Sequence, residues 1–195
     1  MSNQATSLLL GCSMAELSHT PLRDGDIIWL GQYIPKYSLQ HWDSSWSQII
    51  LKAKRGDRWI ISVLAQILAY HIEQWLPLET DHVLTSVPGK LPDALATKVM
   101  SCLSESRILR NERLLIHRRK RMSQHCCGSV SGRIRNVSSS YSVLNPYRVQ
   151  NTSIVLIDDI ITSGATMAEC CRLLKRAGAR SVAGIALART VRRTS

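Results

Sequence analysis

The sequence predicts an α/β protein with a mainly parallel β-sheet and flanking helices. Short β-branched or apolar segments alternate with segments of helical periodicity along the chain. One of them, Ile154–Ile157, is apolar at four consecutive positions, as suits a strand covered on both faces. No apolar run approaches the length needed to cross a membrane.

Taken in order, residues 26–35 (DIIWLGQYIP) read as a strand despite Gly31. Residues 44–54 and 58–76 read as helices separated at Gly56. In the second, Ile60, Ile61, Leu64, Ile67, Leu68 and Ile72 recur at three- and four-residue steps and form an apolar stripe. His82 to Val87 is a strand closed by Pro88-Gly89, and Leu91 to Leu103 a helix. Short strands follow at 113–116, 141–143 and 153–157, then a helix over 165–177 stopped by Gly178, and a last strand at 181–187. All five tryptophans precede residue 76, which assigns them to packing of the N-terminal helices. Cys170 and Cys171 fall on the apolar face of the 165–177 helix as core residues.

Charge separates the chain into unlike parts. Residues 107–148 carry ten basic side chains against Glu112 alone, whereas residues 1–106 carry eight basic and ten acidic ones. Most of the net charge of +11 therefore lies in about a fifth of the chain, which points to an anionic partner. The polar stretch 117–140 within it reads as a basic mobile lid. The six cysteines form no C-x-x-C pair, and the spacing of His117, His125, Cys126 and Cys127 matches no standard metal site. Without a basic, apolar leader at the N-terminus, the expected location is the cytoplasm, with no membrane association.

The densest chemistry lies at residues 154–166, IVLIDDIITSGAT. Two adjacent carboxylates at a strand end repel one another unless a ligand or cation employs them. The turn that follows is small, hydroxylated and glycine-bearing, and leads into a helix whose first N–H groups suit a dianionic phosphate. Ionised carboxylates accept hydrogen bonds from sugar hydroxyls, so the element reads as a sugar-5-phosphate site. No Gly-Lys-Ser/Thr follows, which excludes a Walker A loop. A response-regulator acid pair would come early in a chain and lack this turn.

This element resembles the 5-phosphoribosyl 1-diphosphate (PRPP) binding motif of type I phosphoribosyltransferases. The segment Leu51-Lys52-Ala53-Lys54-Arg55-Gly56-Asp57 is similar to the Lys-rich segment of their ComF/GntX-like (competence protein ComF-type) members. Ser86-Val87-Pro88 resembles their Pro-Val-Pro, and Arg121-Met122-Ser123-Gln124 with Arg135-Asn136-Val137 and Tyr141 resembles their lid. The N-terminal zinc-binding cysteines of those proteins are missing. The Arg-Gly-Phe-Asn-Gln stretch expected after Pro-Val-Pro is replaced by Gly89-Lys90-Leu91-Pro92-Asp93-Ala94-Leu95. Thr162 stands where hypoxanthine-type enzymes carry an acid.

The resemblance implies a type I phosphoribosyltransferase-like (Rossmann-like) domain over 46–190, an N-terminal appendage or hood over 1–45, a lid at about 117–140 and a basic tail at 191–195. It implies Asp158 and Asp159 at the ribose hydroxyls, and Thr162, Ser163, Gly164, Ala165 and Thr166 at the 5-phosphate. Val87, Pro88, Gly89 and Lys90, with Arg118, Arg119, Lys120 and Arg121 from the lid, fall at the pyrophosphate. Asp158, Asp159, Lys90 and Arg121 are its catalytic candidates. Mg²⁺ would be carried by PRPP and water with no direct protein ligand. The implied activity is transfer of phosphoribose to or from a nitrogen nucleophile, with PRPP or a nucleoside monophosphate as substrate, in nucleotide metabolism and in a homodimer. The alternative is a catalytically inactive PRPP or nucleotide sensor whose basic segment binds nucleic acid or a partner protein.

Overall fold

The computed structural model describes residues 21–36, 38, 43–76, 81–103, 108–118 and 140–191. A five-stranded sheet runs β1 (Ile27–Tyr33), β7 (Ser181–Thr190), β6 (Ser153–Ile161), β2 (His82–Ser86), β3 (Ile108–Asn111), and every neighbouring pair is parallel. Among the described residues four α-helices accompany it: α1 (Ser45–Lys54), α2 (Arg58–Trp75), α3 (Lys90–Met100) and α4 (Ala165–Arg176). A separate antiparallel ribbon pairs β4 (Leu115–His117) with β5 (Tyr141–Val143). Among the described residues no helix is long and apolar enough to cross a membrane.

The apolar run of β6 feeds two cores at once, because side chains alternate across a strand. Val155 and Ile157 join Leu84, Ile185 and Leu187 beneath α1, α2 and α3, against Ile50, Leu64, Leu68, Ile72, Leu95 and Val99. Ile154 and Leu156 face the other way, toward Met167, Cys170 and Leu174 of α4 and Leu114 and Leu115 at the ribbon. Each such fully buried aliphatic side chain contributes about 1.5–3 kcal/mol relative to exposure. Cys170 takes the expected core position, while Cys171 is half-buried.

Local signals set the helix starts. Ser44 accepts from the Ser47 amide at 3.2 Å and Asp57 from the Ile60 amide at 3.1 Å, each satisfying an otherwise unpaired N–H. Between them Gly56, at φ +93°, takes the left-handed conformation that lets the chain turn from α1 into α2. Gly31, which weakens the strand reading of β1 in sequence, has a packing reason. A Cβ there would stand 2.6 Å from Nε1 of Trp46, whose indole crosses β1 to donate to the Leu187 carbonyl.

The structure departs from the sequence expectations in several further places. β3 and a short 3₁₀ turn at Pro146–Arg148 were not anticipated. β6 runs on to Ile161, so the acid pair lies inside the last turn of strand pairing, with Asp158 opposite Ala186. Trp46 and Trp75 are buried, but Trp59 on α2 is 71% exposed and packs in no core. Residues 27–33, expected within the N-terminal appendage, form an edge strand of the main sheet.

Topology fixes where a ligand can enter. β2 leads through α3 to β3 on one side, and β6 leads through α4 to β7 on the other side, across the opposite face. Where two adjacent parallel strands send their chains apart, a crevice opens beyond their carboxyl ends.

Candidate active site

The crevice is formed by two turns. Val87 donates its amide to the Ile157 carbonyl at 2.8 Å, which fixes the β2–α3 turn directly beside Asp158. Ser86 donates its hydroxyl to Asp93 Oδ1, which clips this turn to the first turn of α3, and the Asp93 amide donates to the Gly89 carbonyl at 3.0 Å as the first bond of that helix. On the other strand, Gly164 caps α4 at φ +79° with no side-chain cap hydrogen bond. A side chain with a Cβ is disfavoured in that conformation. The first-turn amides of α4 consequently face the turn hydroxyls, and Ala165 donates to Ser163 Oγ at 3.3 Å.

These turns enclose two joined spaces. A pocket of about 90 Å³ is lined by Asp158, Ile160, Ile161, Thr162, Ser163, Gly164, Thr166 and Met167. A larger cleft of about 410 Å³ is lined on its turn side by Val87, Pro88, Gly89 and Lys90 and on its strand side by Asp158, Asp159, Ile160 and Thr166. Asp158 and Thr166 border both spaces and so mark the junction. Thr162 Oγ1 also lies 3.3 Å from Thr190 Oγ1, which ties the small pocket's rim to the end of β7.

The two carboxylates are not equivalent. Asp158 is 8% exposed and accepts the Asp159 amide at 2.8 Å. Burial, reinforced by the neighbouring Asp159 charge, pushes its pKa up to about 7. Asp159 accepts the Ile160 amide at 2.6 Å and meets Lys54 Nζ at 3.0 Å. The pair is therefore held partly by proton and partly by lysine. Burial also raises the Tyr141 phenol above its ordinary range, offset in part by a hydrogen bond with Thr166.

Of the residues singled out in sequence, Asp158, Asp159, Thr166, Val87, Pro88, Gly89 and Lys90 share the larger cleft, and Thr162, Ser163 and Gly164 line the smaller pocket. Ala165 starts α4 beside them. Arg118 is exposed at the foot of the β4–β5 ribbon, where its amide donates to the Ser140 carbonyl at 2.6 Å. Arg119, Lys120 and Arg121 lie outside the described residues, as do His125, Cys126 and Cys127. Among the described residues no three His, Cys, Asp or Glu side chains cluster to hold a metal.

Sequence reasoning did not place Lys54, Tyr141 or the Ser86–Asp93 contact in the site, although Lys54 and Tyr141 stood within motifs it quoted. Lys54 and Tyr141 both line the larger cleft. Lys90 Nζ stands 4.0 Å from where a Cβ on Gly56 would be, so the α1–α2 turn and the start of α3 bring two lysines to one wall.

Residues 128–194, about a third of the chain, match the phosphoribosyl transferase domain. That stretch takes in β5 to β7 and with them the acid pair and the 162–166 turn, but not the β2–α3 turn. Among solved structures, the chain is similar to the allosteric regulatory enzyme of purine biosynthesis, at 24% identity and a TM-score of 0.46, over 65% of this chain and 26% of that one. It is also similar to the glutamine PRPP amidotransferase of B. subtilis complexed with ADP and GMP, at 25% identity and a TM-score of 0.46, over the same shares. The chain thus spans about a quarter of the length of either structure. Among curated proteins none matches the chain in sequence.

Proposed function

We propose that the protein binds PRPP and transfers phosphoribose to or from a nitrogen nucleophile, with pyrophosphate as the leaving group, as a ComF/GntX-like phosphoribosyltransferase. One observation carries this reading. A small hydroxyl- and amide-lined pocket joins a larger lysine-lined cleft, and Asp158 stands at the junction with Asp159 beside it in the cleft. That is the order of groups along a sugar with a phosphate at one end and a second anion at the other.

The 5-phosphate takes the Thr162–Thr166 turn, where the α4 amides meet its charge. Ribose hydroxyls donate to Asp158 and Asp159, which also fixes the ring against rotation. Leaving-group charge then develops beside Lys90, with Arg118, Arg119, Lys120 and Arg121 of the basic segment supplying further cations and excluding water. Mg²⁺ would arrive as a hydrated ion on the diphosphate, held by phosphate oxygens and water. When bound there, its chemistry is to neutralise diphosphate charge. The homodimer implied by the resemblance belongs to the same reading.

A second reading, a PRPP or nucleotide sensor without turnover, is favoured by the β2–α3 turn. In place of a run of basic groups it presents Lys90, and a Ser86–Asp93 hydrogen bond clips it shut. One assay separates the two. With PRPP, Mg²⁺ and a panel of bases or ammonia, the transferase releases pyrophosphate, and Asp158→Asn with Asp159→Asn abolishes the release. Binding of PRPP without release from any acceptor would establish the sensor, and absence of PRPP binding would sink both.

A further inference from the structure

We infer that Lys54 is the specificity-determining residue of the crevice, distinguishing a sugar 5-phosphate with a second anion at its anomeric end from one without. The inference rests on the sugar-phosphate reading of the site and goes beyond it. Lys54 comes from the end of α1, outside both turns that shape the crevice, yet its ammonium lies 3.0 Å from Asp159 Oδ2.

The two spaces explain what that contact does. Thr162, Ser163 and Gly164 line only the smaller pocket, whereas Lys54, Lys90 and Asp159 line only the larger cleft. A sugar seated with its phosphate in the small pocket must present its hydroxyls to the acid pair, where Lys54 already serves Asp159. Hydroxyl donors replace the ammonium at that carboxylate, and the displaced lysine then needs another anion.

If the ligand carries a diphosphate into the larger cleft, Lys54 finds that anion within reach of its flexible stem. If the ligand ends in a neutral hydroxyl, the ammonium has no new partner, and the ion pair competes with ligand binding. Lys54 therefore favours one ligand and opposes the other, which gives more discrimination than added attraction alone. Lys90 lies on the same wall, but the ammonium that meets Asp159 is that of Lys54.

The test is titration calorimetry of the full chain with PRPP and with ribose 5-phosphate, both with Mg²⁺. Lys54→Met should weaken PRPP about 10- to 100-fold while leaving ribose 5-phosphate unchanged or tighter, as expected for loss of one charge-assisted contact. Lys54→Arg should restore most of the preference. Lys52→Met, on an exposed neighbour outside the cleft, removes the same charge and should alter neither affinity. Equal weakening of both ligands by Lys54→Met, or no change in either, overturns the assignment. Wild-type protein that binds ribose 5-phosphate as tightly as PRPP overturns it too, with the sugar-phosphate reading intact. Wild-type protein that binds neither overturns that reading and this inference with it.

Discussion

At the end of β6 the chain enters α4 through a left-handed glycine and a row of hydroxyls, of which Ser163 accepts from the Ala165 amide. At the end of β2 it enters α3 through an extended Gly89, at φ 178°, and the Ser86 hydroxyl ties the turn to the Asp93 carboxylate on the first turn of the helix. Both are strand–turn–helix units on neighbouring parallel strands. The first turns three hydroxyl-bearing side chains toward a pocket, and the second commits its one hydroxyl to Asp93. A phosphate site can be built wholly from one local turn, whereas the opposite wall borrows Lys54 from α1 and Tyr141 from the ribbon.

The strongest test of this contrast is the cost of the acid pair on the first strand. Because the folded-state pKa of Asp158 is raised to about 7, its neutral form is the one the fold prefers. Its contribution to stability is therefore full at acid pH, below the ordinary carboxylate range, and is lost as pH rises through about 7. Asp158→Asn should remove that loss and stabilise the protein at pH 8 by up to about 4 kcal/mol, each pKa unit being about 1.4 kcal/mol. Urea unfolding of both proteins at pH 5 and pH 8 measures it. A difference between them that does not grow with pH would show that the carboxyl is not held neutral.

Next in size is Gly164→Val. A β-branched side chain at φ +79° should cost about 1–2 kcal/mol of stability and distort the turn. Ribose 5-phosphate binding should fall about 10- to 100-fold, by calorimetry. The corresponding Gly89→Ala, in extended backbone, should leave ribose 5-phosphate affinity within about twofold, since its Cβ would lie 3.3 Å from a Pro92 ring carbon and meet no strained φ. Similar losses from the two substitutions would erase the distinction between the turns.

The smallest effect is expected at the clip. Ser86→Ala should cost about 1 kcal/mol of stability. PRPP affinity should fall about fivefold with ribose 5-phosphate unaffected, as read by denaturation and calorimetry together. Loss on ribose 5-phosphate as well would mean that the β2–α3 turn shapes the phosphate pocket after all.

The same contrast decides what sequence could disclose. The β6–α4 element was legible because its signals are contiguous: an apolar run, two acids, hydroxyls and a glycine within thirteen residues. Helices α2 and α4 were legible from periodicity, with Gly56 separating α1 from α2 and Gly178 stopping α4. Lys54 was not assigned, because its meeting with Asp159 depends on how α1 lies across the sheet. β3 has four residues and, among the described residues, pairs with β2 alone, so tertiary pairing creates it where local pattern gives little sign. The end of β6 was placed too early because charged residues usually close a strand, whereas here β7 continues alongside and carries Asp158 in register.

The strand order also bears on how the molecule assembles. β6, α4 and β7 form a compact βαβ unit from one short stretch of chain, while β2 must find β6 with residue 82 paired to residue 153, and β1 must find β7 with residue 27 paired to residue 184. Closing long loops is slow relative to local pairing. The phosphate turn can thus take shape early, and the lysine-bearing wall arrives only when the distant strands dock. A ligand that spans both walls therefore joins parts of the chain far apart in sequence, and its binding should raise the stability of the docked strands as a whole.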